Sequence, residues 1–326
     1  MNISRRHLLA SAGGCAVASV TGGAFAQETA NRPLTIVVPY PPGASSDQIA
    51  RLVAERMQKD LGATIVVENR GGAGGNIGSA YVAKSAPDGT RILLATQPVV
   101  AINPYVYKNI GFDPVKDLTP LTCAVNGVIA IAAHPSLPVN SISELIAYGK
   151  AHPNALNFGT AGQGSPQHVG GLLFAQRAGF EWTHIPYRGG GPMVTDLIGG
   201  QLKAGIVTLS AVKGFLADGK VKILAIGEKT RFAGTPNIPT IAETLPGFEL
   251  TTWLGFFGPG GLPGSLTQSL SQHLIKALND PGVKNKLMDS ALPIRPEGPA
   301  ALAQLVASDQ AQYQKIIRQH NISIDS

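Results

Sequence analysis

An α/β fold with two domains is what this sequence predicts, and three observations carry the prediction. Short β-branched runs alternate with amphipathic segments, the pattern of strands crossing over through helices. A second set of such units begins near residue 126. The chain has 326 residues, 44% of them hydrophobic, which is enough for two cores at about 100–200 residues per domain.

The elements follow in order. Residues 34–38 read as a buried strand, and residues 45–61 as a helix with Ile49, Leu52, Val53, Met57 and Leu61 at helical spacing. Ser45 and Gln48 have the spacing of a capping box, and Gly62 stands where a helix terminates. Residues 64–68 are the next strand and complete a βαβ unit. A Gly-rich stretch, Gly71 to Gly75, leads into a helix near 77–85, and residues 91–95 form a third strand. In the second set, residues 128–133 are a strand and 141–151 a helix, with Ser141 and Glu144 at capping-box spacing. Residues 156–160 are a strand, and 165–178 a helix with Pro166 at the favoured first position. Further strands are expected over 182–187, 204–209, 221–226 and 248–257. Helices are expected over 265–279, 281–290 and 299–320.

Composition narrows the function. Only 14% of residues are charged, too few for a disordered chain of this hydrophobicity. Setting aside Arg5 and Arg6 from the 26 Lys and Arg leaves a net charge of +4 against 20 Asp and Glu. Those charges are spread without basic clusters, which argues against nucleic-acid binding. The two arginines belong to an expected export leader over residues 1–26. Leu8 to Phe25 is uncharged, and Ala24-Phe25-Ala26 is a small-x-small cleavage site. Ser4-Arg5-Arg6-His7-Leu8-Leu9 also looks like a twin-arginine motif, so both export routes stay open. Ala12-Gly13-Gly14 before Cys15 lacks the large aliphatic residue of a lipoprotein signal. The mature protein is thus expected in the periplasm, with Cys123 its only cysteine and no intramolecular disulfide. The nearest candidate for a later membrane span, the charge-free residues 118–133, is interrupted by Pro120, Asn126 and Gly127 and falls short of about 20 apolar residues.

Several enzymatic signatures are excluded by inspection, which leaves open only an enzyme assembled from distant residues. Gly71 to Gly78 has no following Lys-Ser/Thr and no G-x-G-x-x-G register, G-x-S-x-G is missing, and no two His have metal-site spacing. What recurs is a strand that runs into a small, polar, Gly-rich loop and then a helix start. It occurs at residues 37–47, 157–168 and 184–192. Helix N-termini present unpaired N–H groups and a positive dipole end to anions. In open α/β sheets such loops lie beyond the carboxyl ends of the strands, where ligands bind.

From about residue 33 to 320 the sequence resembles the Bug receptors, the extracytoplasmic solute receptors of tripartite tricarboxylate transporters. The marks are Ile36-Val-Val-Pro-Tyr-Pro-Pro-Gly43 with Asp47, Val66-Val-Glu-Asn-Arg-Gly-Gly-Ala-Gly-Gly-Asn-Ile-Gly78, and Ala86-Pro-Asp-Gly89. Further marks are Ala101-Ile-Asn-Pro104, Asp113-Pro-Val-Lys-Asp117, Leu156-Asn-Phe-Gly-Thr-Ala-Gly-Gln-Gly164 and His184-Ile-Pro-Tyr-Arg-Gly-Gly191. Asp196-Leu-Ile-Gly-Gly-Gln201, Ile238-Pro-Thr-Ile-Ala-Glu243 and Pro246-Gly-Phe-Glu249 complete the set.

The resemblance implies a two-domain periplasmic-binding-protein fold that closes on one small organic acid and hands it to membrane permease subunits. It implies a monomer with no catalysis, no cofactor, no metal and no nucleic acid. A sensing receptor for a membrane kinase, or an enzyme on the same scaffold, is the alternative. Domain 1 would comprise residues 27–125 and 250–326, and domain 2 residues 126–249. The chain would cross near 123–127 and return near 248–254. The carboxylate would be held, partly through bridging waters, by Gly43, Ala44, Ser45, Ser46 and Asp47 and by Thr160, Ala161, Gly162, Gln163, Gly164, Ser165 and His168. Ser46, Thr160 and Ser165 supply the hydroxyls expected to meet the acid. Arg188 is a candidate counter-ion for a second carboxylate, with a surface charge beside a Gly turn as the alternative. Asp47 reads as a helix cap or a ligand contact, and His168 as a cleft or a core residue. Tyr40 and Tyr187 end strands and would line the pocket or the core. Gly71 to Gly78 reads as a packing device with a ligand role as the alternative. The chain departs from the family at Ala44-Ser45-Ser46, at Pro166-Gln167, and at Lys203, Val207 and Thr208, where an acidic residue and an Asp-Asn pair are usual.

Overall fold

The computed structural model describes residues 33–324 except Ala44, Asn154 and Arg188. The leader expected over residues 1–26, Cys15 included, lies outside the described residues.

The first unit is β1 (Leu34–Val38), α1 (Ser45–Leu61), β2 (Ile65–Asn69), α2 (Asn76–Ala83) and β3 (Arg91–Thr96). Two short helices follow, α3 (Gln97–Ala101) and α4 (Asn103–Val106), and then the long strand β4 (Leu118–Ala133). The second unit is α5 (Ile142–Ala151), β5 (Asn157–Thr160), α6 (Pro166–Ala178), β6 (Thr183–Pro186), α7 (Gly190–Ile198), β7 (Ala204–Thr208), α8 (Leu209–Val212) and β8 (Lys222–Ile226). The chain returns through β9 (Thr251–Pro259), α9 (Gly264–Leu278), α10 (Pro281–Asp289), β10 (Ile294–Glu297) and α11 (Pro299–Gln319).

Local chemistry explains the helix starts. Ser141 Oγ accepts from the Glu144 amide at 3.1 Å, and the Glu144 carboxylate takes the Asn140 amide at 2.7 Å. The box expected at Ser45 and Gln48 does not form. Ser45 is already helical, and the Gln48 amide donates instead to Ser290 Oγ at 3.0 Å, tying α1 to the end of α10.

Strand order is β2-β1-β3-β9-β4-β7-β5-β6, with β10 and β8 also paired to β4. β4 belongs to two sheets. Residues 118–128 pair with β9, and residues 129–133 pair with β7. Directions then follow strictly. β1 and β3 are parallel to each other, and β3 is antiparallel to β9, which is antiparallel to β4. The first three strands therefore run with β4, their carboxyl ends toward the second sheet. β7 is antiparallel to β4, while β5 and β6 are parallel to β7. Their carboxyl ends therefore face the first sheet. In register, Thr96 meets Leu254 opposite Val125, whereas Thr208 meets Ile129. Measured along β4, the ends of β3 and β7 are therefore offset by four residues, about 13 Å at about 3.3 Å each.

Separate apolar clusters cover each sheet. Ile36, Val53, Met57, Leu94 and Phe256 pack under α1 on the first, and Ile129, Phe158, Phe174 and Trp182 under α6 on the second. Cys123 lies buried in β4 as a free thiol, pushed up to about 12 by burial.

Candidate ligand site

The first loop joins β1 to α1. Ser45 is exposed, whereas Ser46 and Asp47 are buried. Asp47 Oδ2 accepts from the Gly43 amide at 3.1 Å and from Arg51 Nε at 3.0 Å. The Arg51 hydrogen bond holds the Asp47 carboxyl below the usual carboxylate range. The Asp47 carboxylate thus organises its own helix start, as a capping residue does. Ala44 lies outside the described residues.

Next to this loop, Tyr40 Oη is 2.7 Å from Thr96 Oγ1 and donates to the Gly74 carbonyl at 3.3 Å. Asn103 donates to the same carbonyl at 3.1 Å. A Cβ at Gly75 would stand 2.8 Å from Val99 and 3.1 Å from the Tyr40 hydroxyl. The Gly-rich stretch is therefore needed for close packing against the ends of β1 and β3. Burial raises the Tyr40 phenol above its ordinary range.

The second loop joins β5 to α6, facing the first from the other sheet. Thr160 is wholly buried. Its Oγ1 lies 2.7 Å from His184 Nε2, 3.1 Å from the Gly162 carbonyl and 3.3 Å from the Gly162 amide. The Ser165 hydroxyl caps α6 by accepting from the His168 amide at 3.2 Å, and Pro166 opens the helix as predicted. His168 Nδ1 accepts from the Gly164 amide at 3.1 Å. The rings of His168 and His184 stack with centroids 3.8 Å apart. Burial pushes His168 down to about 4 and His184 down to about 3, so both rings are neutral. Both hydroxyls expected to meet the acid here are thus engaged within the protein. What this loop offers outward is backbone: the Ala161 and Gln163 amides have no partner among the described residues. The Gln163 side-chain amide donates to the Ser323 carbonyl at 3.0 Å, bringing the chain's last described turn to the loop.

The remaining candidates separate. Tyr187 donates to Asp196 Oδ2 at 2.8 Å, and burial followed by that carboxylate pushes its phenol up to about 12. Its hydroxyl is held inside its own unit. Lys203 precedes β7 and donates to Ser136 at 2.9 Å, at the far end of the strand from the junction. Thr208 ends β7 at the junction, half-buried, with Val207 buried beside it. Arg188 lies outside the described residues. Sequence reasoning missed Thr96 and Gln97, where β3 meets the short helix α3; the Thr96-Gln97-Pro98 step, with Pro in a helical first turn, was the available signal. It also missed His184, whose position opposite Phe158 is a matter of strand register and leaves no mark in the sequence.

Among the described residues no group of three or more His, Cys, Asp or Glu is placed to hold a metal ion. No described helix is long and apolar enough to cross a membrane. The arrangement is a junction of strand ends and helix starts that can bind an anion through backbone amides.

Residues 49–322 match the family described as "Tripartite tricarboxylate transporter family receptor". Protein BugT of Bordetella pertussis is 35% identical over 270 residues, 82% of this chain and 83% of that protein. The structure of Rpa4515 of R. palustris, solved with adipate, has a TM-score of 0.80 at 32% identity, covering 90% of this chain and 98% of that one. MatC (Rpa3494) of Rhodopseudomonas palustris, solved with bound malate, has a TM-score of 0.75 at 31% identity, covering 88% of this chain and 99% of that one. The shared architecture is the two-domain fold of periplasmic solute-binding proteins. With most of its length matched, the chain belongs to the tripartite tricarboxylate transporter receptor family, among the Bug-type solute-binding proteins.

Proposed function

We propose that this protein is an exported periplasmic receptor that takes up one small organic carboxylate between its lobes and delivers it to membrane permease subunits. Residues 1–26 are its leader. Residues 27–125 with 250–326 form one lobe and residues 126–249 the other, joined by β4 and the segment entering β9. The protein binds without chemistry, as a monomer, and needs no metal or cofactor.

The observation that carries this reading is the pair of opposed loops. The loop after β1 and the loop after β5 each end a strand, start a helix and point at the same junction. The residues at the ligand are Gly43 to Asp47 and Thr160 to Ser165 with His168; Arg188 is the counter-ion for a second carboxylate. Relatives solved with adipate and with malate make dicarboxylates the first probes.

The test is a thermal-shift screen against dicarboxylates, tricarboxylates, aromatic acids and acidic amino acids. A ligand at 100 times its dissociation constant stabilises by about 2.7 kcal/mol, a shift of a few degrees. One acid or a narrow group should produce it. A flat panel, or turnover of a bound acid, would contradict the reading.

A further inference from the structure

The hydrogen bonds around the stacked rings of His168 and His184 fix where each ring carries its proton. Thr160 has a single hydroxyl proton and three polar neighbours. If that proton goes to the Gly162 carbonyl, Oγ1 can accept from both the Gly162 amide and a protonated His184 Nε2. Only this setting satisfies all three contacts at once. It makes His184 the Nε2–H tautomer. His168 must likewise keep Nδ1 bare, because the Gly164 amide donates to it. A proton on either ring would set a cation 3.8 Å from its neighbour. Among the described residues, the other titratable group facing the pair is His320 at the end of α11. Among the described residues neither ring is paired with a carboxylate.

The consequence lies in the backbone. Along this loop the Gly162 and Gly164 amides are consumed inside, by Thr160 and His168, while the Ala161 and Gln163 amides alternate with them and have no partner among the described residues. We infer that His184 is a positioning residue for ligand capture: through Thr160 and His168 it turns alternate amides inward and leaves those of Ala161 and Gln163 for the ligand carboxylate. This rests on the function proposed above, so its test begins without ligand.

In amide exchange of the free protein, Gly162 and Gly164 should exchange at least tenfold more slowly than Ala161 and Gln163. Imidazole nitrogen NMR should show two neutral Nε2–H rings from pH 8 to pH 5. His184→Phe keeps a stacking ring but cannot donate, so Gly162 should lose its protection, and affinity for the dicarboxylate that shifts the wild type should fall at least tenfold. His184→Gln, whose amide can donate to Thr160, should recover most of that loss. Equal exchange at all four amides, a ring titrating near pH 6.5, or wild-type affinity in a folded His184→Phe would overturn the inference. A wild type with the expected amide pattern that binds none of the acids overturns the functional reading instead.

Discussion

Glu228, just beyond β8, is a carboxyl whose charge is opposed by its surroundings. Its Oε1 is buried without a hydrogen-bond partner among the described residues, and burial, with Glu249 nearby, pushes its carboxyl up to about 7 against only partial relief from Arg295. Glu249 itself is occupied by Lys229 at 3.2 Å. An acid with a raised folded pKa holds its proton more tightly in the native state. Its contribution to stability therefore falls as pH rises from about 4.5 to about 7. Replacing it with Gln removes the ionisation and keeps the shape. Glu228→Gln should raise the melting temperature at pH 8 and leave it nearly unchanged at pH 5. An equal effect at both values would show that ionisation is not the cause. This residue, like His184, could not have been singled out beforehand, because burial and like-charge contact exist only once the strands are assembled. Ser165 and Pro166 could be, because a helix cap is written in adjacent residues.

Among the elements, α6 shows where local propensity and packing point in opposite directions. Gly170 and Gly171 sit in mid-helix, where Ala would ordinarily be favoured by about 1 kcal/mol. Here a Cβ at Gly170 would stand 2.2 Å from Leu250, and one at Gly171 would stand 2.4 Å from Phe158. The helix start that carries the ligand loop is seated by this close approach. Overpacking costs about 1–3 kcal/mol, so Gly171→Ala should lower the unfolding free energy in urea titration despite the better helix former. A gain would mean that α6 can shift away from β5 freely. The readable elements were those with one exposed face or a marked start: α1, α5, α6 and α11 lie within a residue of the expected bounds, α1 from helical spacing, α5 and α6 from their capping residues. β4 was read only over its second part. Its first ten residues are mostly buried on both faces, interrupted by Pro120 and two register shifts, so no alternation marks them. β10 is four residues long with a proline inside, and nothing short of its pairing with β4 defines it.

At the scale of the molecule, α11 and the residues after it bridge the two sheets. Leu302 and Val306 pack with Val37, Leu93 and Trp253, whereas Tyr313, Ile316 and Ile317 pack with Ile102 and Val106 and also with Val169 of α6. Asp309 sits between, accepting from Gln97 at 2.6 Å and Trp253 at 2.7 Å. The Ile324 amide donates to Val106, and Ser323 accepts from Gln163, so the last described residues touch both sides of the junction. That the C-terminal helix packs on the first unit was expected from the family resemblance; its contact with α6 was not, since it depends on how the two units are set. These contacts surround the junction of strand ends and helix starts at which the ligand is proposed to bind. The central claim is that backbone amides there hold a carboxylate. Isothermal titration of the best acid from the panel against its methyl ester tests it most directly. The acid should bind with one-to-one stoichiometry, and the ester at least about tenfold more weakly, roughly 1.4 kcal/mol; equal affinities for the two would contradict it.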